Sequence, residues 1–460
     1  MNYTYRVRAI DQYGGPAGTG DGSFISGALP PALTMNNYTL TGRTTVPLVI
    51  LPDTQAGFNG FVGLDLRSAD APQIVWYYSN APSDASGKVQ VDATNAALIQ
   101  VRPGTFIFAD GGTGPEPLAA DSFYREFNSE GTILSESPAT CSITAPPPAS
   151  PAPTNWIWGQ GNDSHEVLAP GSDGVAGTAL HLAKIVKDPF FDAGLAPQGV
   201  RLQSGTGIRR WNLATGKDEI VWDPFNFLDP LTERTDAANS DPAANSDAQN
   251  NFPCVGHSMQ IEEWMHGNSL QVAPTGVLLM SVRHIDTVIA ISPEFDRIAW
   301  RIGRFKSDFT FPNPNDEFYH EHYVRMLSNG NLLLFDNGDG RPAAEGGQYS
   351  RALELALDWD AMTASKVWEY RHQLIDGSYK YADKVGSAQR LENGNTFVLY
   401  GADFDPTTLK AKNPQTFTLV EADANPEAGA VAVLDMLVPG NSPVYRALPV
   451  HTLFGEVPGR

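Results

Sequence analysis

Gly330-Asn331-Leu332-Leu333-Leu334 is a turn glycine leading into an apolar run, and the pattern returns three more times. It stands as Gly104-Thr105-Phe106-Ile107-Phe108, as Gly276-Val277-Leu278-Leu279-Met280 and as Gly394-Asn395-Thr396-Phe397-Val398. Short apolar runs bounded by turn residues read as buried strands. A second unit alternates with the first, a strand closing on tryptophan: Ile74-Val75-Trp76, Ile220-Val221-Trp222, Ile298-Ala299-Trp300 and Lys366-Val367-Trp368. The turn glycines at 276, 330 and 394 lie 54 and 64 residues apart. That spacing suits four strands of about five or six residues each, with their turns. Four-stranded sheets repeated along a chain build a β-propeller. The predicted fold is therefore all-β, a propeller of six four-stranded blades, with seven compatible with the length.

Outward from the repeat, residues 1–55 read as a small partial β-domain and 56–460 as the propeller. Tyr3-Thr4-Tyr5-Arg6-Val7-Arg8-Ala9 alternates as a strand and runs into Asp11-Gln12-Tyr13-Gly14-Gly15, a turn. The stretch looks like the closing hairpin of a fibronectin type III-like sandwich. Tyr38-Thr39-Leu40-Thr41 and Val46-Pro47-Leu48-Val49-Ile50 add two strand candidates. Two stretches interrupt the propeller pattern. Ala145 to Pro153 is proline-rich and extended, and Thr235 to Asn251 is rich in Asp, Asn, Ala and Ser, as a long surface loop is.

Composition bounds the partners. The 460 residues carry 31 Lys+Arg against 52 Asp+Glu, a formal net charge of -21. Such a field repels nucleic acid and anionic membrane, so neither is an expected partner. A small anion remains admissible wherever Arg and His cluster locally. No apolar run reaches the roughly 18 residues of a membrane span, so no membrane insertion is expected. No signal peptide is visible, and the immediate opening on a strand is expected of a chain that begins inside a longer precursor. Cys141 and Cys254 lack the spacing of a metal knuckle or redox motif; pairing and separate buried thiols both stay open.

A propeller lines its centre with the first strand of each blade, so residues just before that strand, and just after the second, reach one face. Before first strands stand His165-Glu166-Val167, His266-Gly267-Asn268-Ser269, His322-Tyr323-Val324-Arg325 and Gly386-Ser387-Ala388-Gln389. After second strands stand Asp110-Gly111-Gly112, Ser281-Val282-Arg283-His284 and Asp336-Asn337-Gly338-Asp339-Gly340-Arg341. Histidines converging with Arg283 and Arg341 suit a tetrahedral oxyanion: Arg offers a planar fork of donors, and His can donate, shuttle a proton or act as nucleophile. A metal is not expected, because on a strand His320 and His322 share one face and leave Glu321 on the other.

These residues carry a resemblance. Trp264-Met265-His266-Gly267-Asn268-Ser269 resembles the Trp-x-His-x-Asn-Ser signature of arylsulfate sulfotransferases. Glu321-His322-Tyr323-Val324-Arg325, leading to Asn329-Gly330-Asn331, is similar to that family's Gln-His-Asp-x-Arg segment before an Asn-Gly turn. The strongest match is Leu334-Phe335-Asp336-Asn337-Gly338-Asp339-Gly340-Arg341, followed by Ser350-Arg351-Ala352-Leu353-Glu354 and Val367-Trp368-Glu369-Tyr370. The resemblance spans roughly 160–405, its specific part lying between 264 and 400. It implies a six-bladed propeller that moves a sulfuryl group between phenols through a sulfated histidine, without a nucleotide donor or other cofactor. It also implies His266 and His322 as oxyanion or phenol contacts, Arg341 as sulfuryl clamp, and a periplasmic or secreted location. The sulfated histidine belongs in the repeat after Arg341, where this chain reads Gly386-Ser387-Ala388-Gln389. His372 is the histidine expected to take its place. Asn268, Arg283, His284, Tyr323, Asp339 and His165 complete the expected binding residues. The expected partners are a small aryl sulfate and a phenol, with a homodimer left open.

Two other functions fit the same residues. A lyase or hydrolase of an anionic glycan would use a His or Tyr base, Tyr323 or Tyr381 among them, beside a carboxylate neutralised by Arg341. A noncatalytic propeller would bind a sulfated or carboxylated glycan. Fold alone does not choose among the three.

Overall fold

A computed structural model describes residues 2–10, 16–25, 29, 33, 38–55, 58–67, 72–79, 98–102, 104–110, 123–136, 142–143, 159–187, 202–235, 261–412, 414–438 and 443–453. Cys141, Cys254, the proline-rich stretch and nearly all of 235–251 lie outside these residues.

Six antiparallel sheets form the blades of a propeller, and the first strands of blades three to six contact one another in succession. Blades four and five are the simplest. Blade four runs Gly267–Val272, Leu278–Val282, Thr287–Ile291 and Ile298–Gly303; blade five runs His322–Met326, Leu332–Asp336, Arg351–Asp358 and Thr363–Tyr370. Blade two is Leu98–Arg102, Thr105–Asp110, Phe123–Asn128 and Ile133–Glu136, and blade three is built on Gly159–Val167, Thr178–Lys187, Leu202–Asn212 and Asp218–Trp222. The two sequence repeats map cleanly. Each turn glycine opens a second strand, and each tryptophan lies in an outermost strand.

Geometry explains the tryptophans. Blades splay apart with distance from the axis, so the wedge between them is widest where the fourth strands lie, and it takes the largest side chain. Trp76, Trp222, Trp300 and Trp368 are all at least nine-tenths buried. Trp300 packs with Phe309, Leu353 and Leu355, and Trp368 with Val398 and Val420 of the following blade. Near the axis, where the wedge closes, amides staple neighbours instead. The Gln271 side chain donates to the Met326 carbonyl (3.3 Å) and accepts from the Met326 N–H (2.7 Å), while Gln389 Nε2 donates to the Ala447 carbonyl (2.7 Å).

The ring closes twice. Blade one is Leu448–Val450 paired with Leu48–Gln55, then Phe58–Asp65 and Gln73–Ser79, so the latest strand in the chain stands innermost beside an early one. Blade six, Ser387–Arg390, Thr396–Tyr400, Gln415–Ala422 and Ala430–Val438, takes Tyr38–Gly42 as a fifth, outer strand. The expected boundary at residue 55 is thereby corrected. Tyr38 and Leu40 pack with Leu434 and Met436, and Val49 and Leu51 join the same core, so residues 38–55 belong to the propeller. Ahead of them Asn2–Ile10 and Pro16–Ile25 pair as an antiparallel hairpin. Among the described residues no helix is long and apolar enough to cross a membrane.

Candidate active site

Four histidines from three successive blades meet: His266 and His322 at the starts of first strands, His284 just after a second strand, and His165 near the end of Gly159–Val167 rather than ahead of it as the sequence suggested. The His266 ring lies 4.6 Å edge-on from His165 and stacks at 5.0 Å on His284. Tyr445 bridges to the next blade, its ring 5.2 Å from His165 and 6.5 Å from His322. His266, His320 and Tyr323 adopt left-handed backbone angles, φ of 72°, 53° and 55°. That conformation is costly for residues with a Cβ and concentrates where function holds it in place.

Each imidazole has a distinct state. His266 Nδ1 faces Glu263 Oε1 at 3.1 Å, which leaves Nε2 on the far side of the ring. Burial pushes the Glu263 carboxyl up, but Lys184, His266 and His284 outweigh it and hold the group well below the usual range. An ionised carboxylate behind an imidazole orients it and stabilises positive charge on it. His284 donates through Nδ1 to the Glu263 carbonyl at 3.0 Å. Burial, then His266 and Arg283, hold it neutral. His322 faces two acceptors through Nδ1, Asn337 Oδ1 at 2.6 Å and the His320 carbonyl at 3.2 Å, while its Nε2 accepts the Val385 N–H at 3.3 Å. Burial and Arg283 push its pKa well down, so it too is neutral. Both of its nitrogens are engaged, which suits a fixed wall better than a nucleophile.

Arg283 supplies the cation beside these rings. Its Nη2 meets Asp339 Oδ2 at 3.2 Å and the Asp383 carbonyl at 3.3 Å. Asp339 gathers two more groups: Tyr381 Oη donates to Oδ1 at 2.9 Å, and His320 Nδ1 donates to its carbonyl at 2.9 Å. Asn268 is wholly buried, donating to the Glu321 carbonyl at 2.6 Å, and its own carbonyl accepts the Tyr445 hydroxyl at 2.7 Å. Tyr323 stands between two guanidiniums, Arg325 at 3.7 Å and Arg446 at 4.3 Å from its ring. Both arginines pair with the buried Glu166, at 3.0 and 2.7 Å.

Two expected residues are placed elsewhere. Arg341 is 1% exposed and is spent inside the fold: Nη2 meets Asp336 at 2.6 Å and Nη1 donates to the Tyr349 hydroxyl at 3.0 Å. It forms one rung of a stack in which Arg304, Tyr319, Arg341, Tyr349, Arg371 and Tyr379 alternate, at spacings of 4.0, 5.2, 4.1, 4.2 and 5.7 Å. Gly338 explains the tight turn before it, since a Cβ there would lie 1.9 Å from the Tyr349 carbonyl. His372 sits against Tyr370 (Nδ1 to Oη, 3.1 Å) and the Tyr400 hydroxyl, which takes its backbone N–H at 3.0 Å. Gly386 has φ of 105°, and a Cβ on it would meet Phe335 at 2.7 Å, so that position admits no side chain. His320 precedes the strand rather than alternating along it, because strand pairing starts at His322. Glu263, Asn337, Tyr445 and Arg446 were missed. Only Tyr445-Arg446, an aromatic-cation pair just ahead of a strand, carries a readable signal.

Comparison with known proteins follows the same residues. The profile of the family described as Arylsulfotransferase (ASST) matches residues 206–446. Arylsulfate sulfotransferase AssT of Escherichia coli O6:H1 (strain CFT073) is 41% identical over 149 residues, 32% of this chain and 23% of that protein. Its namesake from Lelliottia amnigena is 26% identical over 140 residues, 30% of this chain and 23% of that protein. The matches thus span under a quarter of those relatives' length. Among solved structures, a Bacteroides caccae protein of unknown function superposes with a TM-score of 0.39 at 14% identity, covering 88% of this chain and 99% of that one. With its profile matched over more than half of the 460 residues, the chain belongs to the arylsulfotransferase family.

Proposed function

We propose that this chain transfers a sulfuryl group from an aryl sulfate to a phenolic acceptor at the histidine cluster, with His266 as the carrier. The observation that carries this reading is the Glu263–His266 pair, an imidazole backed by an ionised carboxylate and ringed by neutral His284 and His322 beside Arg283. His266 Nε2 attacks sulfur as the sulfur–oxygen bond to the aryl group breaks. The aryl oxide departs with the electron pair, and the N-sulfuryl imidazolium is stabilised by Glu263. A second phenolate attacks the same sulfur and returns His266 to its starting state. Donor and product are both aryl sulfates, so the transfer runs close to thermoneutral and needs no activated nucleotide.

Arg283, rather than Arg341, is assigned the sulfuryl oxygens, where a fixed cation stabilises charge developing in the transition state. Tyr323 and Tyr445 provide aromatic surface for the phenol. A periplasmic or secreted location belongs to the same proposal. The test is incubation with 4-nitrophenyl sulfate. Nitrophenol release that requires added phenol, with aryl sulfate formed on that phenol, is the expected result. Release independent of acceptor identifies a hydrolase, and no release with any aryl sulfate removes the reading.

A further inference from the structure

Glu321 lies between two site residues in the chain, yet its side chain leaves the site. It is wholly buried and enters the neighbouring blade, where Oε1 is 2.9 Å from Ser281 Oγ and 3.2 Å from the Val282 N–H. Oε2 has no hydrogen-bond partner among the described residues. Ser281 Oγ is also 3.1 Å from the Glu321 carbonyl, which takes the Asn268 side-chain N–H as well. The peg therefore joins the His320–Tyr323 segment to the end of the strand that delivers Arg283 and His284.

Proton counting decides its state. Ser281 has one hydroxyl proton and two acceptors in reach, Glu321 Oε1 and the Glu321 carbonyl. An ionised carboxylate leaves one of these contacts without a hydrogen. With the proton on Oε1, the acid donates to Ser281 Oγ, Ser281 donates to the carbonyl, Val282 N–H still reaches Oε1, and every contact is satisfied. The charged surroundings agree. The charged group that acts on Glu321 most strongly is another anion, Asp286, in the turn that follows Arg283 and His284. Asp286 is itself held by Arg304 at 3.1 Å and by the His320 backbone N–H at 2.7 Å. Arg283 is turned to Asp339, and His322 to Asn337. Burial, then Asp286, push the Glu321 carboxyl up to about 8.

We propose that Glu321 works as a neutral carboxylic acid, a positioning residue that pegs the His320–Tyr323 segment to the Arg283–His284 turn, and that its ionisation disables the site. Its effect on catalysis rests on the function proposed above, whereas its effect on stability does not.

The experiment compares wild type with Glu321→Gln, which keeps the side chain's size and neutrality but cannot ionise. Two windows separate. Between the carboxyl's unfolded value of 4.5 and about 8, only the folded state holds the proton. Wild type then loses stability relative to E321Q by about tenfold per pH unit in the unfolding equilibrium constant, and above pH 8 the two run parallel. In the aryl sulfate assay, kcat/KM of wild type shows an alkaline limb near pH 8 that is absent from E321Q, whatever the level of its plateau. Glu321→Ala lowers activity at every pH. Stability curves parallel throughout, or the same alkaline limb in E321Q, overturn the proposal. Should E321Q fail to fold, infrared titration of wild type still decides. A protonated-acid carbonyl band lost near pH 8 supports the proposal, and its absence overturns it. A chain inactive on every aryl sulfate, with the stability arm as expected, removes the transferase reading and leaves the neutral acid standing.

Discussion

Replacing Arg341 with methionine separates a structural arginine from a catalytic one. The side chain is 1% exposed, and Asp336 and Arg351 beside it are fully buried. Methionine fills much of the volume but removes two charge-assisted bonds, one to Asp336 and one to the Tyr349 hydroxyl. Each bond of this kind contributes about 1.5–3 kcal/mol. Stacking on Tyr349 and Tyr319 adds about 0.5–1 kcal/mol for each ring. Asp336 is not left alone, for Arg351 Nε (2.7 Å) and the N–H groups of Tyr319 (2.9 Å) and Gly338 (3.1 Å) still bind it. The lost contacts come to several kcal/mol, the desolvation that a buried guanidinium no longer requires offsets part of that, and with Asp336 still paired the net cost is about 3–5 kcal/mol. Urea unfolding at pH 7 measures it. The folded fraction of Arg341→Met should keep kcat/KM on an aryl sulfate within about tenfold, whereas the folded fraction of Arg283→Met should lose about 10²–10³-fold. An R341M protein as stable as wild type, but without activity, would refute the reasoning and return the clamp to Arg341.

His266→Ala should lower the transfer rate by about 10²–10⁴-fold, and Glu263→Gln by less, because the imidazole survives without its counter-charge; stopped assays on 4-nitrophenyl sulfate give both ratios. His372→Ala should leave transfer within about twofold of wild type, since its contacts are Tyr370 and Tyr400; a full loss would identify it as the carrier after all. Burial pushes the Glu369 carboxyl up, but Arg351 and Arg371 bring it down to about 2 from 4.5. Its contribution to stability is therefore complete above pH 4.5 and lost as pH falls toward 2. Against Glu369→Gln, wild type should lose its advantage in that window and nowhere else in a pH series of urea unfolding.

The propeller was legible because its repeat has a steric cause at each end of the blade. Turn glycines with positive φ open second strands, as at Gly276, Gly330 and Gly394, and tryptophan fills the outer wedge in four of the six blades. The meeting of His266, His284 and His322 was legible for a related reason, since each flanks a strand end at one face; His165 joins them from inside Gly159–Val167 and not from the offset read for it. Arg341 was misplaced because the residue that captures it, Asp336, reads in sequence as one more member of the same turn. Whether that carboxylate faces the site or the arginine depends on Arg351, fifteen positions further on, and on the backbone donors of Tyr319 and Gly338. The boundary at 55 failed for want of long-range information. Nothing local to Tyr38–Gly42 announces that its partner is Ala430–Val438.

The order in which the chain is made bears on the site. Tyr445 and Arg446 touch His165, Asn268, Tyr323 and Glu166, and the strand that closes the ring, Leu448–Val450, follows them directly. Every other residue of the cluster has left the ribosome by then. Five blades and most of a sixth exist beforehand with Glu166 and the Tyr323 ring still lacking one of their two guanidiniums. A nascent or clipped chain that stops short of residue 445 thus has an open ring and an incomplete histidine cluster, and arrival of a single short segment both shuts the ring and completes the cluster.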